Sequence, residues 1–166
     1  MLLANDYYDT YIRLVPWTTP DEALAKGLDA ALQTLITIPA DKWDYSYAPG
    51  KWSIKELVQH VMDTERIFSY RALSFARGET THLPPFEENA YAQNSFAAWR
   101  NPESIIEEYK AIRASTGHLY RSFTPTALDR TGIANNLQQN VRRIAFIIAG
   151  HEAHHLNVLK ERYLAG

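Results

Sequence analysis

The sequence predicts an all-α protein: a four-helix bundle formed by one domain over residues 1–166. Three observations carry this. Four long segments repeat apolar residues at spacings of three and four, as one face of a helix requires. Those segments open or close on helix-boundary residues. No segment shows the strict apolar–polar alternation of a half-buried strand.

Residues 1–18 are rich in Tyr, carry Pro16 and Trp17, and predict a short helical turn or ordered lead-in. Thr19-Pro20-Asp21-Glu22 marks the first long helix, with a Thr cap, Pro at the first position and two acids in the first turn. Its stripe is Leu24, Leu28, Ala31, Leu32, Leu35 and Ile38, and Pro39 ends it. A connector from Asp41 to Lys51 follows. Ser53-Ile54-Lys55-Glu56 is a capping box, in which the Ser and Glu side chains each satisfy the other's backbone N–H. The second helix runs from there to about Arg77, with Gly78 as its stop. Its stripe is Ile54, Leu57, Val58, Val61, Phe68, Ala72 and Phe75.

Glu79 to Phe96 contains Pro84-Pro85 and little periodicity, so it predicts a long crossover loop of the kind that borders sites. Asn101-Pro102-Glu103 opens the third helix, with Ile105, Ile106, Tyr109, Ile112, Leu119 and Phe123 as its stripe. Thr124-Pro125 begins a short helix that gives way at Thr131-Gly132. The polar run Asn135 to Asn140 leads into the last helix, about Val141 to Leu164.

Of the 166 residues, 46% are hydrophobic and 22% charged, a globular balance. Lys and Arg number 17 against 19 Asp and Glu, a formal net charge of -2, so no phosphate-binding footprint for nucleic acid is indicated. No run approaches the roughly 18 apolar residues of a membrane span. The first residues lack a basic, then apolar, signal pattern, and a cytoplasmic protein is the expectation. With no cysteine, the chain offers neither disulfides, thiolate ligands nor a thiol nucleophile, although a thiol could enter as substrate.

The strongest chemical signal is on the last helix. At about 100° per residue, Val141, Ile144, Ile148 and Leu159 share a face, and His151 and His155 fall within it. Two imidazoles one turn apart on an apolar face reach one ion, and burial favours the neutral form that ligates. The alternative is a pair of core histidines satisfied by hydrogen bonds. A third ligand is expected, and His60, at the flank of the second helix's stripe, is the candidate. Three neutral ligands leave positions open for water or substrate, which suits catalysis better than structure. His154 projects to the flank, and His82 and His118 have no spacing partner. Asp63 and Glu65 are placed to bond the ligand rings or to pair with Arg66 and Arg71.

His151-Glu152-Ala153-His154-His155 also fits His-Glu-x-x-His, the zinc-peptidase pattern. Val158 and Glu161 stand where the extended form needs Gly and His, and no sheet is expected to bind a peptide, so a peptidase is set aside. Glu152 is retained as a candidate general base toward a smaller substrate.

The segments Tyr47-Ala48-Pro49-Gly50-Lys51-Trp52-Ser53-Ile54-Lys55-Glu56-Leu57-Val58-Gln59-His60 and Asp63-Thr64-Glu65-Arg66 resemble the second-helix motif of the DinB/YfiT-like superfamily. Phe75-Ala76-Arg77-Gly78 and Pro84-Pro85-Phe86 continue the likeness, and Ile147 to Leu156 is similar to that family's last-helix motif. The resemblance implies an up-down-down-up bundle, often dimeric. It also implies a divalent metal, commonly nickel or zinc, on three histidines that map to His60, His151 and His155. Some such proteins are thiol S-transferases using bacillithiol, mycothiol or glutathione; others are described as metal-dependent hydrolases. The expected function is therefore a metal-dependent thiol transfer to small electrophiles. A metal-dependent hydrolase of a small substrate and a non-catalytic, stress-related binding module are the alternatives. The expected partners are a small molecule, such as a low-molecular-weight thiol, and a second copy of the chain, with no nucleic acid and no membrane.

Overall fold

A computed structural model describes residues 7–165. Part of the lead-in read from the sequence, residues 1–6, lies outside them. The remainder holds a short helix, α1 (Asp9–Ile12). The four long helices follow the stripes: α2 (Pro20–Leu35), α3 (Ile54–Ala76), α5 (Pro102–Arg121) and α7 (Val141–Val158). Between them lie α4 (Glu88–Gln93) and α6 (Pro125–Leu128).

The local chemistry of each start is as the sequence indicated. Thr19 accepts from Glu22 N, Asn101 from Ser104 N and Thr124 from Ala127 N, and Ser53 and Glu56 complete the capping box. Each cap satisfies backbone donors that the first helical turn leaves unpaired. Two bounds differ from the sequence reading. The α2 helix stops at Leu35, three residues before Ile38, and a short 3-10 turn (Ala40–Lys42) follows Pro39. The last helix changes after Val158 to π-helical hydrogen bonding over Leu159–Leu164.

Two expectations are corrected. The crossover loop is not without structure, because Glu87 accepts from Ala90 N and so caps α4 inside it. The polar run after Thr131 is a β-hairpin, β1 (Thr131–Ala134) and β2 (Leu137–Asn140), paired antiparallel from Thr131↔Asn140 to Ala134↔Leu137. Asn135 and Asn136 turn it with φ of 51° and 58°. Positive φ at both central residues is the tight hairpin turn that Asn tolerates and that matches strand twist. The crossover segment joins it, with Leu83 N donating to Ile133 O at 2.9 Å and Asn135 N to Leu83 O at 3.1 Å.

Helix α7 packs against α2 and α3, and α5 packs on the same two from the other side. The short α1 lies across α7. That crossing is close because position 150 is Gly: a Cβ there would stand 2.2 Å from the Tyr11 carbonyl oxygen. Asp9 holds the same junction through an ion pair with Arg143 at 2.7 Å.

The core forms two apolar clusters. One gathers Phe68, Ala72, Phe75, Val141, Ile144 and Ile148, the other Trp43, Ile54, Leu57, Ile105, Ile112 and Leu159. Where one gives way to the other, α3, α5 and α7 each contribute buried polar side chains: His60, Thr64 and Glu65; Arg113; His151 and Glu152. This polar layer positions the site. No helix among the described residues is long and apolar enough to cross a membrane.

Candidate metal centre

Helices α3 and α7 bring His60, His151 and His155 together. His60 Nε2 lies 3.0 Å from His151 Nε2, and His155 Nε2 lies 3.1 Å from the same atom. The three ligand atoms all fall within 4.8 Å of one another. His60 and His151 are buried and His155 half-buried.

Ordinary hydrogen bonding does not account for this cluster. One imidazole nitrogen carries either a proton or a lone pair. His151 Nε2 therefore cannot donate to one neighbour while accepting from the other, and as an acceptor it has a single lone pair for two N–H donors. A shared ion removes the conflict, since nitrogens about 2.0–2.1 Å from one metal stand roughly 3.0–3.4 Å apart, depending on coordination geometry. The residues fit a divalent cation, and the group could hold one.

The rings are also in the protonation state that ligation needs. Burial lowers the pKa of His60 to about 4 and that of His155 to about 3. His151 is pushed well below its ordinary value, by burial first and by its histidine neighbours next. Aromatic contacts fix the ring planes. Trp52 packs on His60 with centroids 4.8 Å apart, and Tyr11 meets His151 edge-on at 5.4 Å. His155 Nδ1 is buried without a hydrogen-bond partner among the described residues.

Among the described residues, two cavities larger than a water molecule border the cluster. A small one of about 110 Å³ touches His60 and His151, with Tyr8, Thr64, Phe68 and Arg71 among its walls. A larger one of about 300 Å³ touches His154 and His155, walled by Tyr47, Lys51, Trp52 and Tyr163. The crossover segment reaches both, through Phe86 and Glu88 in the first and Asn89 in the second.

The other residues singled out from sequence are placed as follows. His154 is half-buried beside Tyr11 and His155, on the wall of the larger cavity. His82 and His118 are exposed and line neither cavity. Asp63 accepts from Gln59 at 2.9 Å and pairs with Arg66 at 3.5 Å, rather than bonding a ligand ring. Glu65 pairs with neither Arg66 nor Arg71. Both of its oxygens accept from Arg113, at 2.9 Å each.

Glu152 is not gathered with the histidines. Its carboxylate accepts from Arg113 Nη1 at 3.1 Å, Arg113 Nη2 at 2.9 Å and the Tyr109 hydroxyl. Arg113 also donates to the Leu24 carbonyl at 2.7 Å, so α2 is tied in. Gly27 makes room: a Cβ there would stand 2.3 Å from Glu152 Oε2. Sequence reading passed over Arg113 and took Tyr109 only as part of the apolar stripe. Their signal was position, since 109, 112, 113, 116 and 120 lie on one helical face.

The comparisons with known proteins agree with this architecture. A family model described as the DinB superfamily matches residues 23–159. The chain belongs to the DinB superfamily. No curated protein matches it. Among solved structures, this DinB chain is similar to YfiT from Bacillus subtilis, described as a probable metal-dependent hydrolase with an unusual four-helix bundle topology. The TM-score is 0.67 and the identity 16%, over 96% of this chain and 89% of that one. It is also similar to a mycothiol-dependent maleylpyruvate isomerase, with TM-score 0.70 and identity 13%, over 83% of this chain and 58% of that one. A histidine-to-alanine variant of that isomerase gives the same values. The chain thus spans less than two thirds of the isomerase. At these identities the likeness shows the fold, a mostly helical bundle like that of YfiT with a small two-stranded sheet added.

Proposed function

We propose that His60, His151 and His155 hold one divalent ion, nickel or zinc, and that the protein is a thiol S-transferase acting on small electrophiles. The observation that carries this reading is two separate cavities meeting at one three-histidine face. A transferase needs room for two reactants against the same centre; hydrolysis needs room for one and for water. An ion bound there would supply Lewis acidity, lowering the pKa of a thiol or of water at the site. The chain's own part is to keep three imidazoles neutral and to hold the planes of His60 and His151 with Trp52 and Tyr11. The thiol must come from outside, since the chain has no cysteine. The mycothiol dependence of the isomerase with this fold is consistent with that source. A cytoplasmic setting, where low-molecular-weight thiols are kept reduced, belongs to the same reading.

The test begins with elemental analysis of protein purified without a His-tag. The metal-loaded protein is then assayed with bacillithiol, mycothiol and glutathione against a generic electrophile. Turnover with one of them is expected. No turnover with any, at full metal occupancy, removes the transferase.

The description of YfiT keeps a hydrolase as the second reading. There Glu152 would move the proton, and Glu152→Gln would retain metal and lose turnover. The carboxylate's bonds to Arg113 and Tyr109 favour a positioning role instead.

Two further points belong to the proposal. An up-down-down-up helix order is supported by the side-chain pairings. Glu65–Arg113 and Ser69–Thr116 advance together along α3 and α5. Tyr109–Glu152 and Tyr120–Val141 run oppositely along α5 and α7, and Leu24–Arg113 and Asp21–Arg121 do so along α2 and α5. Homodimerisation is supported by Phe96 and Trp99, large apolar side chains that stand exposed beyond α4. Light scattering should give two chains for the wild type and one for Trp99→Glu.

A further inference from the structure

Arg71 is a buried guanidinium that the core does not explain. It sits on α3 with 3% of its surface exposed. Its Nη2 donates to the Pro84 carbonyl at 2.9 Å, its guanidinium carbon lies 5.0 Å from the Phe68 ring centre, and it hydrogen-bonds the Tyr8 hydroxyl, a neutral partner. No carboxylate pairs with it among the described residues. Arg113, equally buried, has two. A guanidinium stays charged in a protein, so burial without a counter-ion is costly unless an anion visits.

A second observation points to the same place. Thr64, also on α3 and two turns before Arg71, is 3% exposed, and its hydroxyl has no hydrogen-bond partner among the described residues. Residues seven apart share a helical face. Both side chains line the 110 Å³ cavity whose other wall is His60 and His151. Bidentate N–H donors with a nearby hydroxyl match a carboxylate, whose oxygens only accept. The space is small. A cavity of about 150 Å³ takes benzene, so this one takes a short acid. Glu88, exposed at the rim, also lines the cavity, and it disfavours a ligand carrying a further negative charge beyond the carboxylate that Arg71 neutralises.

We propose that this cavity is a subsite for the carboxylate of a short small-molecule acid, recognised by Arg71 and Thr64, with the remainder of the molecule directed at His60 and His151. The inference rests on the transferase reading for what lies at the histidine wall, and it names the substrate class: an acid that is either the electrophile or the thiol. The subsite itself does not require the ion.

Calorimetric titration of the whole chain, both chelated and zinc-loaded, tests it with acrylate against acrylamide and mercaptoacetate against mercaptoacetamide. Each acid should bind the chelated protein more tightly than its amide. Arg71→Met should weaken the acids by about tenfold to a hundredfold, the range for losing a charge-assisted hydrogen bond. Thr64→Val should weaken them by about fivefold, as for a neutral hydrogen bond. In the zinc-loaded protein, Arg71 dependence confined to acrylate assigns the subsite to the electrophile, and dependence with mercaptoacetate assigns it to the thiol. Circular dichroism checks that Arg71→Met is folded; if it is not, Arg71→Lys and the near-isosteric Thr64→Val carry the test. Equal binding of acids and amides, or acid affinities within about twofold of wild type in the folded variants, overturns the proposal. Metal analysis is scored separately: a protein that takes no metal yet prefers acids sinks the metal reading and keeps this one.

Discussion

Two polar clusters lie side by side in the same apolar bundle, and they are built on opposite principles. Around Arg113, every strong donor and acceptor is matched: two carboxylates, the Leu24 carbonyl and the Tyr109 hydroxyl enclose one guanidinium. Around His151, three neutral rings converge on a point that their own protons cannot satisfy, with unpartnered atoms on Thr64 and His155 close by. A closed network holds helices in place and has nothing left to offer a ligand. An open one of similar burial is stable only if something else completes it. In the proposed reading the neighbours divide the work, the first fixing α2, α3, α5 and α7 relative to each other and the second receiving a guest.

The largest effect should come from breaking the closed cluster. Arg113→Met would leave Glu65 and Glu152 buried without their cation, a loss of about 3–5 kcal/mol, measured as a lower urea midpoint at unchanged slope. Replacing all three charged residues with apolar ones of similar volume should recover most of that loss. If the single variant were near neutral, the network would not be what ties the helices. The open cluster should respond to its guest instead. Metal at a hundredfold excess over its dissociation constant should stabilise the fold by about 2.7 kcal/mol, read as a rise in melting temperature that His151→Ala abolishes. An equal rise in that variant would place the ion elsewhere.

The two clusters were unequally legible in the sequence. His151 and His155 stand out because i,i+4 spacing on an apolar face is a local pattern, and His60 follows from the motif around it. Helix starts were legible for the same reason: Thr19, Ser53, Asn101 and Thr124 each bond within three residues. Arg113 joins residues 48 and 39 positions away, and no local rule selects those partners. The hairpin was missed because Leu137-Gln138-Gln139-Asn140 shows no alternation of an apolar face. Its one signal was the Asn-Asn pair, which supplies the positive φ of the turn. The helix inside the crossover loop was missed because Glu87 is an uncommon cap.

Acid should separate the clusters further. His60 titrates at about 4 in the folded, metal-free protein and near its ordinary value of 6.5 when unfolded. Between those values the unfolded chain binds a proton that the folded chain does not, so stability rises with pH across the window and falls on acidification. Melting of the chelated protein from pH 7.5 to 4.5 should show that fall, and His60→Gln should lessen it, with His151 and His155 keeping the remainder. A slope identical in the two would mean that His60 is charged in the fold or is not buried from solvent.

The smallest effect is the most discriminating, because one substitution has opposite signs in the two settings. Thr116 has a hydroxyl that donates to the Ile112 carbonyl at 3.1 Å and meets Ser69 at 3.0 Å, so Thr116→Val should cost about 1 kcal/mol. Thr64 is as deeply buried, but its hydroxyl has no hydrogen-bond partner among the described residues. Exchanging it for a methyl group removes an unsatisfied polar atom, and Thr64→Val should be neutral or stabilising by up to about 1 kcal/mol in the ligand-free protein. Denaturant midpoints of the two variants settle the sign. A loss at Thr64 as large as that at Thr116 would mean that its hydroxyl is already engaged within the fold. A gain, together with weaker binding of acids, would mean that the hydroxyl is held in reserve at a standing cost to stability, as expected of a residue kept for its ligand.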